Sequence, residues 1–383
     1  MTTVDADLVE RVRRRVGAAG GPATAARVAA ALREEGGALR GDVGDVLAVV
    51  QSEIVGAGPL EALLADASVT DILVNGPGEV WVDRGSGLER TAVRFADDAA
   101  VRRLAQRLAG PTGRRLDDAQ PWVDARLADG VRLHAVLPPV APAGTCLSLR
   151  VPRRRVFSVG ELQSAGTVPA DGAALLRRLA ASRTAFLVSG GTGTGKTTLL
   201  STLLSLVDPA ERVLLVEDAG ELRPDRPHVV RLEARPPNVE GAGAVTLRDL
   251  VRQALRMRPD RLVVGEVRGA EVLDLLAALN TGHEGGCGTV HANSAEDVPA
   301  RLEALAAVAG LNREALHSQL SSALQVVVHL VRNADGRRRL AGLWVLSRGQ
   351  AQLVEAVPAW AWDGASAVGT HGPGADLLAR LLA

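Results

Sequence analysis

The chain has 383 residues, 47% of them hydrophobic and 23% charged, which is typical of globular proteins with a sizeable core. Its formal net charge of +0 gives no global electrostatic reason for nucleic-acid binding, although a local basic channel is compatible with it. Cys146 and Cys287 are too few for a disulfide framework and favour a reducing compartment. We expect neither a signal peptide nor a membrane-spanning helix.

Residues 1–55 have the spacing of amphipathic helices. Leu8, Val12 and Val16 fall on one predicted face, and Val46 and Val50 fall on another. The segment is therefore predicted to be an N-terminal helical arm for packing or interaction. A loosely attached helical bundle is the alternative.

Residues 56–155 are predicted to form a small α/β domain. Strand-like patterns cover residues 71–75, 79–83, 131–136 and 146–151, and a helical pattern covers 99–108. Residues 156–172 are predicted to be a linker into the next domain.

Residues 173–383 alternate strand-like and helix-like patterns, which is typical of a parallel sheet covered by helices on both faces. The predicted strands are 185–189, 213–217, 229–232, 262–265, 288–291 and 326–331. A terminal hairpin is predicted over residues 340–357. The Gly- and Ala-rich stretch beyond Pro358 is expected to be loose.

The strongest motif is G-x-x-x-x-G-K-T, which lies between an apolar strand and an apolar helix. Glycines let backbone N–H groups point at phosphate oxygens, and the following helix N-terminus favours an anion there. We expect Lys196 to neutralise the β- and γ-phosphates of ATP and Thr197 to bind Mg²⁺. Lys196 is the only lysine of the chain, which indicates a need for a compact ammonium group. The predicted nucleotide-binding residues are Gly190, Gly191, Thr192, Gly193, Thr194, Gly195, Lys196, Thr197 and Thr198.

Two carboxylates, Glu217 and Glu266, follow or end apolar strand patterns. The carboxyl ends of parallel strands line the ligand crevice of such sheets. A carboxylate there can orient an attacking water or hold the water shell of a metal ion. A helix N-cap or a salt bridge is the alternative role for each of them.

Histidines and arginines complete the candidate site. His283 and His291 lie in a glycine-rich segment, where an imidazole could sense the γ-phosphate, and a structural role is the alternative for His283. Zinc binding lacks further ligands at suitable spacing. Arg132 and Arg150 lie in apolar strand patterns, so they are candidates for stabilising phosphate charge, with surface charge as the alternative.

Together these segments resemble the TadA/CpaF-type pilus assembly ATPases of the type II/IV secretion ATPase superfamily, from about residue 71 to residue 332. The segments that carry the resemblance are 71–77, 113–117, 123–127, 129–132, 217–221, 255–261, 265–269, 280–285 and 289–293. The 265–269 segment is similar to the atypical Walker B of this family, with Gly265 in place of an aspartate. Departures at Gly220 and at Cys287-Gly288 remove no proposed catalytic group.

The resemblance implies a RecA-like P-loop ATPase domain, a smaller N-terminal PAS-like α/β domain and an N-terminal helical arm. It implies that Glu217 polarises the attacking water, that Glu266 supports Mg²⁺ through water, and that His291 senses the γ-phosphate. It also implies that Arg132 and Arg150 close over the nucleotide.

The same resemblance implies a homo-hexameric ring in the cytoplasm that acts at the inner membrane through a platform protein, in Flp/tight-adherence pilus assembly or protein secretion. A DNA-transfer motor related to conjugation is the alternative. Nucleic-acid binding is disfavoured by the 2% aromatic content. A nucleotide-binding switch without turnover is a third possibility, against which intact Lys196, Glu217 and Glu266 argue.

Overall fold

A computed structural model describes residues 6–20, 24–35, 43–85, 87–152, 156–235, 237, 241–282, 284–333, 335–349 and 352–383. The chain forms two compact units, Met1–Arg154 and Arg155–Ala383, called unit 1 and unit 2 below. Helices and strands occur in both units, which confirms the predicted α/β class.

Unit 1 begins with helices that share a small core of their own. They are α1 (Ala6–Ala18), α2 (Ala25–Glu35) and α3 (Val43–Ile54). The predicted face of Leu8, Val12 and Val16 is buried in one cluster with Val28 and Val50. Apolar residues at helical spacing thus cover one another, which explains why these segments fold as helices.

The rest of unit 1 is a six-stranded antiparallel sheet of order β3-β2-β1-β6-β5-β4. Its elements are α4 (Glu61–Ala65), β1 (Asp71–Val74), β2 (Val80–Asp83), β3 (Leu88–Arg90), α5 (Asp98–Ala109), β4 (Trp122–Arg126), β5 (Arg132–Val136) and β6 (Cys146–Arg150), with 3-10 turns at Gly58–Leu60 and Gly110–Thr112. Alternate side chains such as Leu133 and Ala135 enter a core that α5 covers.

Among the described residues, no single helix is long and apolar enough to cross a bilayer. One sharply bent pair, Val46–Ile54 with Gly58–Ala65, meets the length and composition criteria only when both parts are taken together.

Unit 2 contains a nine-stranded sheet of order β15-β14-β13-β12-β7-β11-β10-β8-β9. The strands from β12 to β9 in this order are parallel, and β13, β14 and β15 are antiparallel. The strands are β7 (Phe186–Gly190), β8 (Val213–Glu217), β9 (Val229–Glu233), β10 (Arg261–Val267), β11 (Cys287–His291), β12 (Val326–Arg332), β13 (Arg338–Arg348), β14 (Val354–Ala361) and β15 (Thr370–His371).

Helices cover both faces of this sheet. They are α6 (Val159–Ser164), α7 (Ala170–Ala181), α8 (Lys196–Leu204), α9 (Leu247–Ala254), α10 (Glu271–Leu279), α11 (Val298–Val308), α12 (Arg313–Ala323) and α13 (Ala375–Leu381), with a 3-10 turn at Leu255–Met257. One core lies under α9 to α12, and the other lies under α6, α7, α8 and α13. Phe186 and Val188 enter the second core while Leu187 enters the first, so the parallel strands are apolar on both sides.

Part of the predicted linker at residues 156–172 belongs to the packed core of unit 2. A capping box of Ser158 and Glu161 starts α6, and Val159 and Leu162 are buried in the core of unit 2. The segment is too short for a strong periodic signal, which is why its composition suggested a spacer.

The stretch beyond Pro358 is ordered, so the expectation of a loose end is wrong. β14 continues to Ala361, and Trp360 is 1% exposed. The Nε1–H of Trp360 donates to Oδ2 of Asp171 at 2.8 Å, and the N–H of Gly369 donates to the same oxygen at 2.8 Å. Burial against a distant part of the chain overrides the local glycine content.

We predict that Leu378→Ala destabilises unit 2. Leu378 lies on α13 and is 3% exposed, and a buried Leu→Ala change costs about 2–5 kcal/mol. Calorimetry should show an unfolding midpoint lowered by several degrees. Val368→Ala, at a position that is 58% exposed, is the control and should leave the midpoint nearly unchanged. Equal midpoints for the two variants would contradict a packed C-terminal end.

Candidate nucleotide site

The phosphate loop connects β7 to α8 by a tight turn that requires glycine. Gly190, Gly193 and Gly195 have φ angles of 149°, 73° and 94°, a region that side chains disfavour. A Cβ on Gly190 would lie 2.4 Å from the carbonyl oxygen of Leu330 and 2.7 Å from Oγ1 of Thr194. Glycine is therefore required in the motif both by the positive φ angles and, at Gly190, by the lack of space for a Cβ atom.

The loop and the first turn of α8 surround the start of a helix, where an anion is favoured. Thr194 is buried, and its hydroxyl donates to the Gly191 carbonyl at 2.9 Å. Thr192 is exposed, and Thr197 and Thr198 are half-buried on the first turn of α8. All nine predicted nucleotide-binding residues thus lie on this loop and helix start.

Lys196 is buried inside the loop. It is 7% exposed, and its Nζ donates to the carbonyl oxygens of Gly190 at 3.0 Å and Gly191 at 2.8 Å. Burial lowers the pKa of this ammonium group, while the charges of Glu266 and Glu221 oppose that shift. The loop thus encloses this ammonium group and supplies its hydrogen-bond acceptors.

His291 joins Lys196 to Glu266. Its Nδ1 lies 3.4 Å from Nζ of Lys196, and its Nε2 lies 2.9 Å from Oε1 of Glu266. A neutral ring that donates through Nε2 and accepts through Nδ1 satisfies both contacts. Burial lowers the pKa of His291, as does the charge of Lys196, whereas Glu266 raises it. These three predicted residues therefore form one connected group.

An irregularity in β10 sets the position of Glu266. The register of β10 against β11 shifts between Val264 and Val267. The Thr289 hydroxyl donates to the Gly265 carbonyl at 2.6 Å. After the strand, Oε1 of the buried Glu271 accepts the backbone N–H groups of residues 268 and 269 at 2.6 and 2.7 Å. Glu271 thus shapes the turn beyond Glu266.

Glu217 ends β8 and is 3% exposed. Its Oε1 accepts the backbone N–H groups of Glu221 and Leu222, each at 2.9 Å. Its Oε2 is buried and has no hydrogen-bond partner within the described part of the chain. Burial raises the pKa of Glu217 to about 7. A Cβ on Gly265 would lie 2.7 Å from Cγ of Glu217, so glycine here makes room for the carboxylate.

Arg132 and Arg150 belong to unit 1, where they are neighbours. They face each other as Cα partners of β5 and β6, and Arg126 of β4 pairs with Arg132. Arg132 and Arg150 are exposed on the side of the sheet opposite the core, so the apolar pattern around them comes from alternating burial. Asp71 of β1 pairs with Arg150 at the other end of this row.

Other predicted positions have simpler environments. His283 lies outside the described residues. Cys287 is buried, and burial raises its thiol pKa to about 12, which agrees with a space-filling role. Arg261 is 1% exposed and pairs with Glu211 at 2.6 Å, so it is structural.

Two contacts at the loop escaped the sequence patterns. The Nε–H of Arg338 donates to the carbonyl of Gly193 at 2.8 Å, and Ser189 contacts His329 at 2.8 Å. Arginine is too frequent in this chain for Arg338 to stand out. Ser189 and His329 are polar residues within apolar strands. This polarity is the one feature of the sequence that could have indicated their contact.

The sequence matches the type II/IV secretion system protein family over residues 53–366. The chain belongs to this family. It is 60% identical over 323 residues, covering 83% of this chain and 92% of the relative, to the putative conjugal transfer protein MT3759 of Mycobacterium tuberculosis. It is 30% identical over 280 residues, covering 72% and 83% of the two chains, to the conjugal transfer protein TrbB of Rhizobium radiobacter.

The fold of the chain is similar to the folds of solved structures. A crystal structure of the pilus retraction motor PilT with bound ADP has a TM-score of 0.55 at 21% identity, covering 76% of this chain and 83% of that chain. The Legionella pneumophila ATPase DotB has a TM-score of 0.53 at 21% identity, covering 74% and 78%. The predicted superfamily is confirmed by the family match, and the fold agrees with the folds of ATPases of known structure.

We predict that Glu217→Gln raises the stability of the protein at pH 8 and not at pH 4.5. The folded-state pKa of about 7 lies above the ordinary 4.5, so the folded chain keeps a proton that the unfolded chain has lost. The stability from that proton is complete below pH 4.5 and is lost as the pH rises through 7. Glutamine cannot ionise and avoids this loss.

Thermal unfolding at a series of pH values measures the difference in midpoint between Glu217→Gln and the wild type. Glu355→Gln, at an exposed position of β14, is the matched control and should show no such trend. A midpoint difference independent of pH would contradict a buried, hard-to-ionise Glu217.

Proposed function

We propose that the chain is a Mg²⁺-dependent ring motor of the TadA/CpaF type, which powers Flp/tight-adherence pilus assembly or protein secretion. The observation that supports ATP hydrolysis best is the contact series Lys196–His291–Glu266 beside the phosphate loop. It joins a cation for phosphate oxygens, an imidazole able to exchange partners and a carboxylate. Loss of the γ-phosphate would change the balance of these contacts, as a sensor requires.

Lys196 has partners that ATP can replace. Its Nζ is held by the carbonyls of Gly190 and Gly191, and phosphate oxygens are stronger acceptors for an ammonium group. Thr197 and Glu266 offer a hydroxyl and a carboxylate, which are oxygen ligands of the kind that Mg²⁺ prefers. Within the described residues, no group of three or more His, Cys, Asp or Glu could hold a metal ion. An ion held jointly by few side chains and the phosphates fits this donor set.

Glu217 is the proposed group that polarises the attacking water. Two backbone N–H groups fix its Oε1, and its Oε2 remains available in a buried environment. A general base works best when its pKa lies near the working pH, and burial raises that of Glu217 to about 7. Glu266 would then support the ion through water.

Arg132 and Arg150 are proposed to close over the nucleotide. Arg132 and Arg150 are Cα partners on neighbouring strands, so one anion could contact both guanidinium groups. Guanidinium groups also stabilise the charge that develops during phosphoryl transfer. Their exposure on one face of the unit 1 sheet makes them accessible to such an anion.

A homo-hexameric ring, acting from the cytoplasm on a platform protein of the inner membrane, is part of the proposal. Its support is the resemblance of the motifs to the TadA/CpaF type. ATP binding would draw the two units together over the phosphates, and hydrolysis would release them. A repeated swing of this kind can move a membrane partner.

We predict that Mg²⁺-ATP turnover of the full chain rises with protein concentration. Lys196→Ala and Glu217→Gln should each lower it by at least about a hundredfold, because each removes a group that acts in the transition state. Glu355→Gln is the control and should behave as the wild type. A rate per subunit that stays constant down to the monomer would contradict a ring with shared sites. ATP binding without hydrolysis would favour the nucleotide switch.

A DNA-transfer motor is the second candidate. The relative that is 60% identical is named a putative conjugal transfer protein, and TrbB carries a similar name. The same purified chain, assayed with single- and double-stranded DNA over a salt series, separates the two. A DNA-stimulated rate that falls with salt would support DNA transfer, since phosphate contacts release counterions. An unchanged rate would favour pilus assembly or protein secretion.

A further inference from the structure

A buried histidine that the proposed mechanism leaves unused lies beside the phosphate loop. His329 of β12 is 4% exposed and pairs with Ser189 of β7, and the next residue, Leu330, pairs with Gly190. The side chains of His329 and Ser189 meet, with Nδ1 lying 2.8 Å from Oγ. His329 is therefore in hydrogen-bond contact with Ser189, the residue that precedes the loop.

Several groups in the segment that follows β11 act on the ring of His329. Burial lowers the pKa of His329, as does the charge of Lys196, whereas the carboxylates of Glu296 and Asp297 and a hydrogen bond with the Asn293 backbone raise it. Since Nδ1 contacts Ser189, we assign the backbone contact to Nε2. A neutral ring that donates through Nε2–H to the Asn293 carbonyl and accepts the Ser189 hydroxyl satisfies both partners.

A second contact holds the same segment from the next strand. Trp344 of β13 meets His329 edge to face, with ring centroids 6.0 Å apart and an interplanar angle of 82°. Its Nε1–H donates to Oε1 of Glu296 at 2.8 Å. Asn293 and Glu296 lie two and five residues after His291. Residues of β12 and β13 thus contact the segment that follows His291 in the chain.

We propose that His329 is a positioning residue, which braces Ser189 of the phosphate-loop strand against the Asn293 backbone and thereby sets the place of His291 relative to Lys196. This inference rests on the proposed roles of Lys196 and His291. A buried imidazole needs polar partners in any role. The positional role follows from where these contacts lie, on the strand before the phosphate loop and on the segment after His291. Displacing a reacting group by about 1 Å can lower a rate about a hundredfold.

Three substitutions separate the two contacts. His329→Gln places an amide nitrogen near Nε2 and keeps a donor for Asn293, His329→Asn places its amide near Nδ1 and keeps the contact with Ser189, and His329→Phe keeps bulk alone. His317→Gln is the matched control. His317 is 3% exposed, and its ring contacts the Val354 N–H at 2.8 Å and Oε2 of Glu303 at 3.4 Å.

Turnover and hydrogen exchange of the full chain measure the effect. His329→Phe and His329→Asn should lower kcat by about tenfold to a hundredfold with a smaller change in KM for ATP, and should speed exchange of the backbone amides at 291–296. His329→Gln keeps the donor for Asn293 and should leave exchange at 291–296 close to that of the wild type, but it loses the contact with Ser189 and should lower kcat by less than His329→Phe. His317→Gln should lower the unfolding midpoint while leaving kcat and exchange at 291–296 as in the wild type.

Wild-type kcat and wild-type exchange in His329→Phe would overturn the brace. An equal loss of kcat in His317→Gln would overturn it too, because general destabilisation would then explain both. Absent turnover in the wild type, together with faster exchange at 291–296 in His329→Phe, would contradict the proposed function and support the brace.

Discussion

A buried ammonium group organises the chemistry of unit 2. A charge as enclosed as that of Lys196, at 7% exposure, is unfavourable unless polar atoms surround it. The loop carbonyls and the ring of His291 are those atoms. Glycines with positive φ let the loop curl tightly enough to present the carbonyls. One loop conformation thus both buries the ammonium group and supplies its hydrogen-bond acceptors.

Parallel pairing then brings together residues that are far apart in the chain. Gly190 faces His291 across the β7–β11 pair, and Ser189 faces His329 across the β7–β12 pair. Because parallel strands share one carboxyl edge, a residue at the end of each strand reaches the same crevice. A slip of one residue in either pair would turn these side chains to the opposite face. The arrangement of these side chains therefore depends on register as much as on residue type.

The site also carries an unfavourable feature that the surrounding structure tolerates. Glu217 is buried with one satisfied oxygen and one without a partner among the described residues. Gly265 leaves the space for it, where an alanine methyl would collide. Buried groups with displaced pKa values concentrate at functional sites because reactivity needs them there. The apolar strands on either side supply the stability that allows this arrangement.

The sequence by itself determined the phosphate loop, the positions of the parallel strands along the chain and the carboxylates at their ends, because these depend on local patterns and on short motifs. The order of the strands in the sheet came from the structure. Family membership followed from the same motifs. Only the tertiary structure decided that residues 156–172 and the end beyond Pro358 are packed, and that His329 contacts Ser189. Trp360 and Asp171 lie 189 residues apart, and Ser189 and His329 lie 140 apart. Contacts between residues so far apart produce no periodic pattern in the sequence, because they form only when the sheet is assembled.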